Sequence, residues 1–373
     1  MQITRVNAHL VRIPFRSPFI HALYTRHETD AIVVTVESEE GKVGVGEILP
    51  RPYLTGENLS DIWQRGLPTL AARWVGQSFG NRDEVRLALA DELNRSERTL
   101  ASLAGWELAI LDLSGKMFGF SVGEILGSNE LPEVPAGVVI DFAIPTSHLE
   151  KHCSLLRLLR QHHIKVKVGL PDDLQRLELI QGVLGPEQAL RLDANAAWTP
   201  QEAICTLHEW RRRFNICSVE QPVAANDIQG MRAVRTKTGV PVVADESVCT
   251  LDDVEALVRA HAADILNIRI GKMGGLLAAA QLIKVAKDAG LHCELATLVG
   301  ETGILSRAAE ILSRRIEGFE FLEGKHQNRK LLTEDLVDLD PPVNEAAPMG
   351  LGIHITPNLE RLGVCVPLSF KTA

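Results

Sequence analysis

The chain has 373 residues, 45% of them hydrophobic and 23% charged, which exceeds one typical domain of ~100–200 residues unless a barrel takes up most of the length. A formal charge of −9 argues against nucleic acid or an anionic membrane surface as a constitutive partner, because both reward a cationic face. Cys153, Cys205, Cys217, Cys249, Cys293 and Cys365 form no CxxC pair, so they read as reduced, mostly buried thiols of a cytoplasmic protein.

The chain opens on MQITRVNAHLVRIPF, a largely alternating strand without the features of a secretory signal, and no apolar run approaches the ~18 residues needed to span a bilayer. Residues 6–13 alternate, residues 31–37 are β-branched and end in the turn Ser38-Glu39-Glu40-Gly41, and 43–48 follow as a third strand. From about 59 to 126 the period becomes helical, as in DEVRLALADEL and LASLAGWELAILDLSGKMFG. Residues 1–126 are therefore expected to form an α+β unit. From about 134, β-rich runs start near 134, 164, 190, 217, 240, 264, 292 and 319, with helical segments between most of them. Eight units of one strand, one helix and two loops predict a parallel (β/α) barrel over 127–340. A doubly wound sheet would want a glycine-rich phosphate loop after its first strand, and VVIDFAIPTS has none. The tail 341–373 breaks the rhythm, contains an extra strand, and is expected to return to the N-terminal unit.

In a parallel barrel the chemistry lies at the C-terminal strand ends. Lys165 and Lys167, two apart in IKVKVG, share one strand face. Asp193 ends LRLD, Glu220 ends CSVE, Asp245 ends VVAD and Arg269 lies in LNIRI. Singly, each has a commoner structural reading: a solvated strand edge for the lysines, a turn or helix cap for the acids. Their recurrence at equivalent points of successive units weakens those readings together. Three carboxylates converging on one mouth repel unless a cation sits among them, and an all-oxygen set suits a hard divalent ion such as Mg²⁺, with Mn²⁺ as its substitute. A cation facing a lysine pair is suited to acidifying a carbon next to a carboxylate. Adjacent ammonium groups are also expected to depress each other's pKa.

With KVK at 165–167, DANAAW at 193–198, VEQP at 219–222 and ADES at 244–247, supported by RPYLTGE at 51–57 and TEDL at 333–336, the chain resembles the enolase superfamily, and within it the muconate-lactonizing-enzyme subgroup, over essentially its whole length. The resemblance implies a modified (β/α)8 barrel of (β/α)7β type under an α+β N-terminal capping domain. It implies Mg²⁺ held by Asp193, Glu220 and Asp245, Lys167 as acid/base and Lys165 as its electrostatic partner. Glu301, in LVGETG, falls where the subgroup often has a glutamate at the end of the seventh strand. Specificity in this family comes from the capping domain, which makes Tyr24 and Arg26 in 21–28 and Tyr53 in 49–56 candidates to meet the substrate. Asn195 and Glu246, inside DANAAW and ADES, are further candidate contacts.

Two departures narrow the chemistry. Arg269 stands where the family has a second lysine, and arginine does not lose its proton, so racemisation by two bases is disfavoured. Lys272, three residues on, is not a natural substitute. Dipeptide epimerases of the subgroup carry Asp-x-Asp on the last strand; in GFEFLEG, Glu320 is the available acid and Leu322 stands at the second position. The expectation is one-base chemistry on a small carboxylate substrate, either cycloisomerisation or syn dehydration as in o-succinylbenzoate synthases, with Arg269 holding charge. The alternatives are an epimerase of dipeptides or N-acylated amino acids, and a non-catalytic protein that binds a carboxylate through its metal. A homo-oligomer is also expected.

Overall fold

The computed structural model describes residues 1–20, 25–95, 99–127, 130–338, 349–356 and 358–367. The N-terminal strands are β1 (Ile3–Ile20), β2 (Thr25–Ser38) and β3 (Val43–Ile48). They are longer than the sequence pattern because β1 and β2 continue past a register shift between Pro14 and Phe19, beyond which Phe19 pairs with Arg26. The strands β4 (Ala136–Ile140), β5 (Ile164–Lys167), β6 (Leu190–Asp193), β7 (Ile216–Glu220), β8 (Val242–Ala244), β9 (Ile265–Ile268), β10 (His292–Ala296) and β11 (Leu322–Glu323) close into a parallel barrel in chain order. A short pair, β12 (Val337–Asp338) and β13 (His354–Ile355), follows, and β14 (Gly363–Pro367) pairs antiparallel with β1. The N-terminal sheet thus runs β14-β1-β2-β3.

Strand β3 lies almost backbone to backbone on the helix Leu100–Phe118, and glycines permit it. A Cβ on Gly46 would meet Gly105 O at 1.9 Å, and one on Gly44 would meet Ala109 O at 2.2 Å. This helix is buried on nearly every side, which explains why its sequence is apolar almost all round. Among the described residues no helix is long and apolar enough to cross a membrane. Cys153, Cys249 and Cys293 are buried free thiols, as expected, whereas Cys205 and Cys217 are exposed.

Two acids of the N-terminal unit cap barrel helices across the junction. Glu107, on the helix Leu100–Phe118, accepts from the main-chain N–H of Leu276 and, at 3.1 Å, of Leu277, at the start of the helix Leu276–Asp288. Glu47 on β3 accepts from Thr302 N at 2.8 Å, Thr302 Oγ1 at 2.8 Å and Leu305 N at 3.1 Å, at the start of the helix Gly303–Ser313. Helix N-termini present unpaired N–H groups and the positive end of the dipole, so a carboxylate is the natural partner. Burial nevertheless pushes Glu107 up to about 8 and Glu47 up to about 7, against those same hydrogen bonds.

Because the folded pKa of Glu107 lies above its unfolded value, the native state binds the extra proton between about 4.5 and 8, so this group's contribution to stability declines as pH rises through that window. Thermal denaturation of Glu107→Gln across pH 5–8 is expected to show a shallower decline than wild type, by up to ~1.4 kcal/mol per pH unit; an unchanged slope would show that Glu107 is not the source.

Candidate active site

The β-barrel register brings the polar strand ends together. Lys167 pairs in register with Asp193, Asp193 with Glu220, and Glu220 with Val243 two residues before Asp245. Going round the barrel from β5 to β9 is four steps of eight, so Lys165 and Lys167 stand across the mouth from Arg269, with the three acids on the arc between. The loops after β6 and β7 turn sharply: Asn195, Ala196 and Gln221 have φ of 43°, 61° and 37°, a conformation that costs non-glycine residues ~1–3 kcal/mol. Gln221, fully buried, holds this turn in place. Its Oε1 accepts from Asp245 N and Ser247 N, each at 3.1 Å, and its Nε2 donates to Val223 O at 2.9 Å and Ser247 Oγ at 2.7 Å. One side chain therefore fixes the backbone that aims Glu220 and Asp245.

Cations of the chain surround the acids. Lys165 Nζ lies 3.0 Å from Glu220 Oε2 and 3.4 Å from Asp193 Oδ2, and also pairs with Glu323. Lys167 Nζ donates to Asp193 Oδ2 at 3.0 Å and to Asn195 Oδ1. Arg269 Nη2 lies 3.2 Å from Glu220 Oε1 and 2.8 Å from Asp245 Oδ2, and Lys272 Nζ 2.8 Å from Asp245 Oδ1. Burial pushes Glu220 up to about 8, and Asp193, Asp245 and Glu323 add to the rise against the pull of Lys165. Burial alone would also raise Asp193, but Lys167 and Lys165 hold it well below the usual carboxylate range. The expected depression of the lysine pair is not found at Lys165: burial opposes its charge, but Glu220, Glu323 and Asp193 outweigh that and raise its pKa. Asp245 and Glu220 likewise hold the buried Arg269 above its ordinary value.

These donors suit a hard cation. Besides the three crowded carboxylates, Glu246 Oε2 is buried without a hydrogen-bond partner, and burial, then Asp245 and Asp193, push Glu246 up to about 7. Among the described residues no three acid, histidine or cysteine side chains already close on a common point; Arg269 and Lys272 lie against Asp245 instead.

Residues 3–127 match the mandelate racemase / muconate lactonizing enzyme N-terminal domain, and residues 153–359 match the enolase C-terminal domain-like family. The chain belongs to the enolase superfamily. Similar proteins of this superfamily include an N-succinyl-L-Arg/Lys racemase of Bacillus cereus, 28% identical over 83% of each chain. The crystal structure of an N-succinyl Arg/Lys racemase from B. cereus superposes with a TM-score of 0.88 at 27% identity, covering 98% of this chain and 100% of that one. A dipeptide epimerase of Enterococcus faecalis, complexed with Mg and L-Leu-L-Tyr, gives a TM-score of 0.83 at 27% identity over 95% and 99% of the chains. A chloromuconate cycloisomerase of Cupriavidus pinatubonensis is 27% identical over 84% of this chain and 85% of its own. The relatives are isomerases, epimerases and lyases, and this chain is an enzyme of that superfamily.

The pocket at this barrel mouth is lined by Lys165, Lys167, Asp193, Asn195, Glu246 and Arg269 from the barrel. Phe19, Arg26, Arg51 and Tyr53 close it from the N-terminal unit. Of the candidate residues, Tyr24 lies outside the described residues. Arg26 pairs with Asp30 at 3.3 Å, and Asn195 Nδ2 donates to Glu246 at 3.2 Å. Glu320 does not reach the pocket: it is exposed and precedes β11. Its place is taken by Glu323, since the strand register puts 322–323, not 320, beside β10 and β4. Glu323 pairs with Lys165 and with Arg191 Nη1 at 2.9 Å. Glu301 turns away from the pocket, accepting from Leu298 N and Ser306 Oγ at 2.8 Å each.

Sequence reasoning also missed Arg51, Gln221, Arg191 and Asn267. Arg191 and Asn267 precede Asp193 and Arg269 by two, so strand alternation alone places them on the same face. Arg51, 1% exposed, donates to Asp30 Oδ1 at 2.9 Å and to Val299 O at 2.7 Å, tying the N-terminal unit to the loop after β10. Replacing Glu301 by Ala is expected to destabilise the protein by about 2 kcal/mol through its two lost buried hydrogen bonds, and to leave the Tm shift measured on adding Mg²⁺ equal to that of wild type. Loss of that metal response in Glu301→Ala would place Glu301 in the site after all.

Proposed function

We propose that the enzyme performs one-base enediolate chemistry on a small carboxylate substrate, as a muconate-type cycloisomerase or a syn-dehydratase. The observation that carries this reading is Arg269, a permanently protonated side chain directly across the barrel from Lys167 and engaged with both Glu220 and Asp245. An epimerase needs a second group that accepts a proton on the opposite face of the substrate, and a guanidinium does not serve. Glu323, the acid at the end of the last strand, is already paired with Lys165 and Arg191, which argues against a substrate ammonium as its partner.

In this proposal Lys167, aimed by Asp193 and Asn195, moves the proton at the carbon next to the substrate carboxylate. In a syn elimination it takes that proton and returns it to the hydroxyl leaving from the neighbouring carbon on the same face, so that water departs and the lysine ends as it began. In a cycloisomerisation it delivers one proton to the enolate that ring closure leaves. Lys165 adds fixed positive charge beneath the carboxylate, and Arg269 supports it from the far wall. Asp193, Glu220 and Asp245 would hold Mg²⁺, which when bound supplies concentrated positive charge where negative charge develops on the substrate. Arg26, Arg51 and Tyr53 at the other end of the pocket favour a substrate with a second anionic or polar group.

The racemase and epimerases among the relatives favour a second reading, epimerisation of an N-acylated amino acid or dipeptide. Incubation in D₂O separates the two. Muconate-type and β-hydroxy acid substrates are expected to turn over with Lys167→Ala inactive, and N-succinyl amino acids and dipeptides to keep their configuration. Inversion with deuterium uptake at Cα would overturn the one-base proposal. Separately, Asp193→Asn, Glu220→Gln and Asp245→Asn should each abolish the Mg²⁺-dependent rise in Tm; three unchanged responses would refute the ligand set.

A further inference from the structure

Arg269 has a relation to the acid cluster that substrate binding alone does not explain. Its Nη2 spans two carboxylates on different strands, 3.2 Å from Glu220 Oε1 and 2.8 Å from Asp245 Oδ2. The remaining donors leave Asp245 Oδ2 to the guanidinium and share Glu220 Oε1 with it. Lys272 holds Asp245 through Oδ1 and the main-chain oxygen, so Oδ2 faces the guanidinium. Asn267 Nδ2 holds Glu220 Oε1 at 2.8 Å and Lys165 holds Oε2. Both carboxylates therefore stay anchored without Arg269, and the guanidinium lies against oxygens of two of the proposed ligands. It is incompletely satisfied there, since its buried Nε has no hydrogen-bond partner. It also lines the wall of the pocket, so the residue borders both the acids and the cavity.

We infer that Arg269 is a tethered competitor of the divalent ion for Glu220 and Asp245, and that metal binding releases its guanidinium into the pocket to receive a substrate carboxylate; this rests on the ligand role proposed above for those two acids. Two positive charges at one oxygen pair repel, so the ion must displace the guanidinium or bind against its repulsion, and either lowers metal affinity. Once displaced, the planar guanidinium keeps its charge and regains the donors that suit a carboxylate bidentately. Metal and anionic substrate then reinforce each other's binding, with the same factor in both directions. A lysine at this position reaches less far and offers a point charge, so it would not bridge the two acids in the same way.

Calorimetric titration of Mg²⁺ into the metal-free, full-length protein tests this without any substrate. Arg269→Gln is expected to bind Mg²⁺ about tenfold more tightly than wild type or better, with Arg269→Lys between them, and Asp245→Asn is expected to lose binding in both backgrounds. Equal or weaker affinity in Arg269→Gln, with wild type binding the metal, overturns the inference and leaves the ligand assignment standing. If folded wild type and Arg269→Gln both fail to bind, or if Asp245→Asn binds as wild type does, the ligand assignment is wrong and the inference falls with it. Should Arg269→Gln not fold, Arg269→Lys decides: tighter binding than wild type supports competition, and equal or weaker binding excludes it.

Discussion

Charge confined in the mouth of a closed barrel governs this structure. Asp193, Glu220 and Asp245 end adjacent strands and are almost wholly buried, so water screens none of them, and every carboxylate must find a positive partner or a proton. The neighbouring strands supply those partners: Lys165 and Lys167 on one side, Arg269 and Lys272 on the other. A deeper layer repeats the pattern, with Arg191 stacked 4.1 Å above the Phe321 ring and paired with Glu294 at 3.0 Å and with Glu323. Breaking one member of such a network typically costs ~3–5 kcal/mol, because a charge is left behind without its partner. The left-handed turns at Asn195 and Gln221 belong to the same constraint, since they hold the acids where mutual repulsion would otherwise spread them.

The placement of cations round that mouth sets the chemistry that fits it. In the proposed chemistry Lys167 alone would move protons and Arg269, directly opposite, would only hold charge, which would distinguish the two faces of a flat intermediate.

Much of this was legible in the residues because strand ends recur at unit spacing. Lys167, Asp193, Glu220, Asp245 and Arg269 stand one βα unit apart, and the barrel register converts that spacing into proximity. Reading failed where a strand is too short to show its phase. Strand β11 has two residues, so alternation across GFEFLEG could not tell Glu320 from Glu323. Partnerships distant along the chain were equally hidden. Nothing in RPYLTGE says that Arg51 will bond Val299 O, 248 residues away, and nothing in the apolar helix 100–118 says that Glu107 will meet the start of another helix.

Those cross-junction caps carry a consequence for how the protein can change. Gly275 admits the Glu107 carboxylate because any side chain there would clash with it, a Cβ meeting Oε2 at 2.2 Å. Glu47 is equally committed to Thr302 and Leu305. The N-terminal unit is thus not an exchangeable lid resting on a finished barrel. It supplies carboxylates to two helix starts of the barrel, and a foreign unit grafted in its place would have to reproduce both at the same depth.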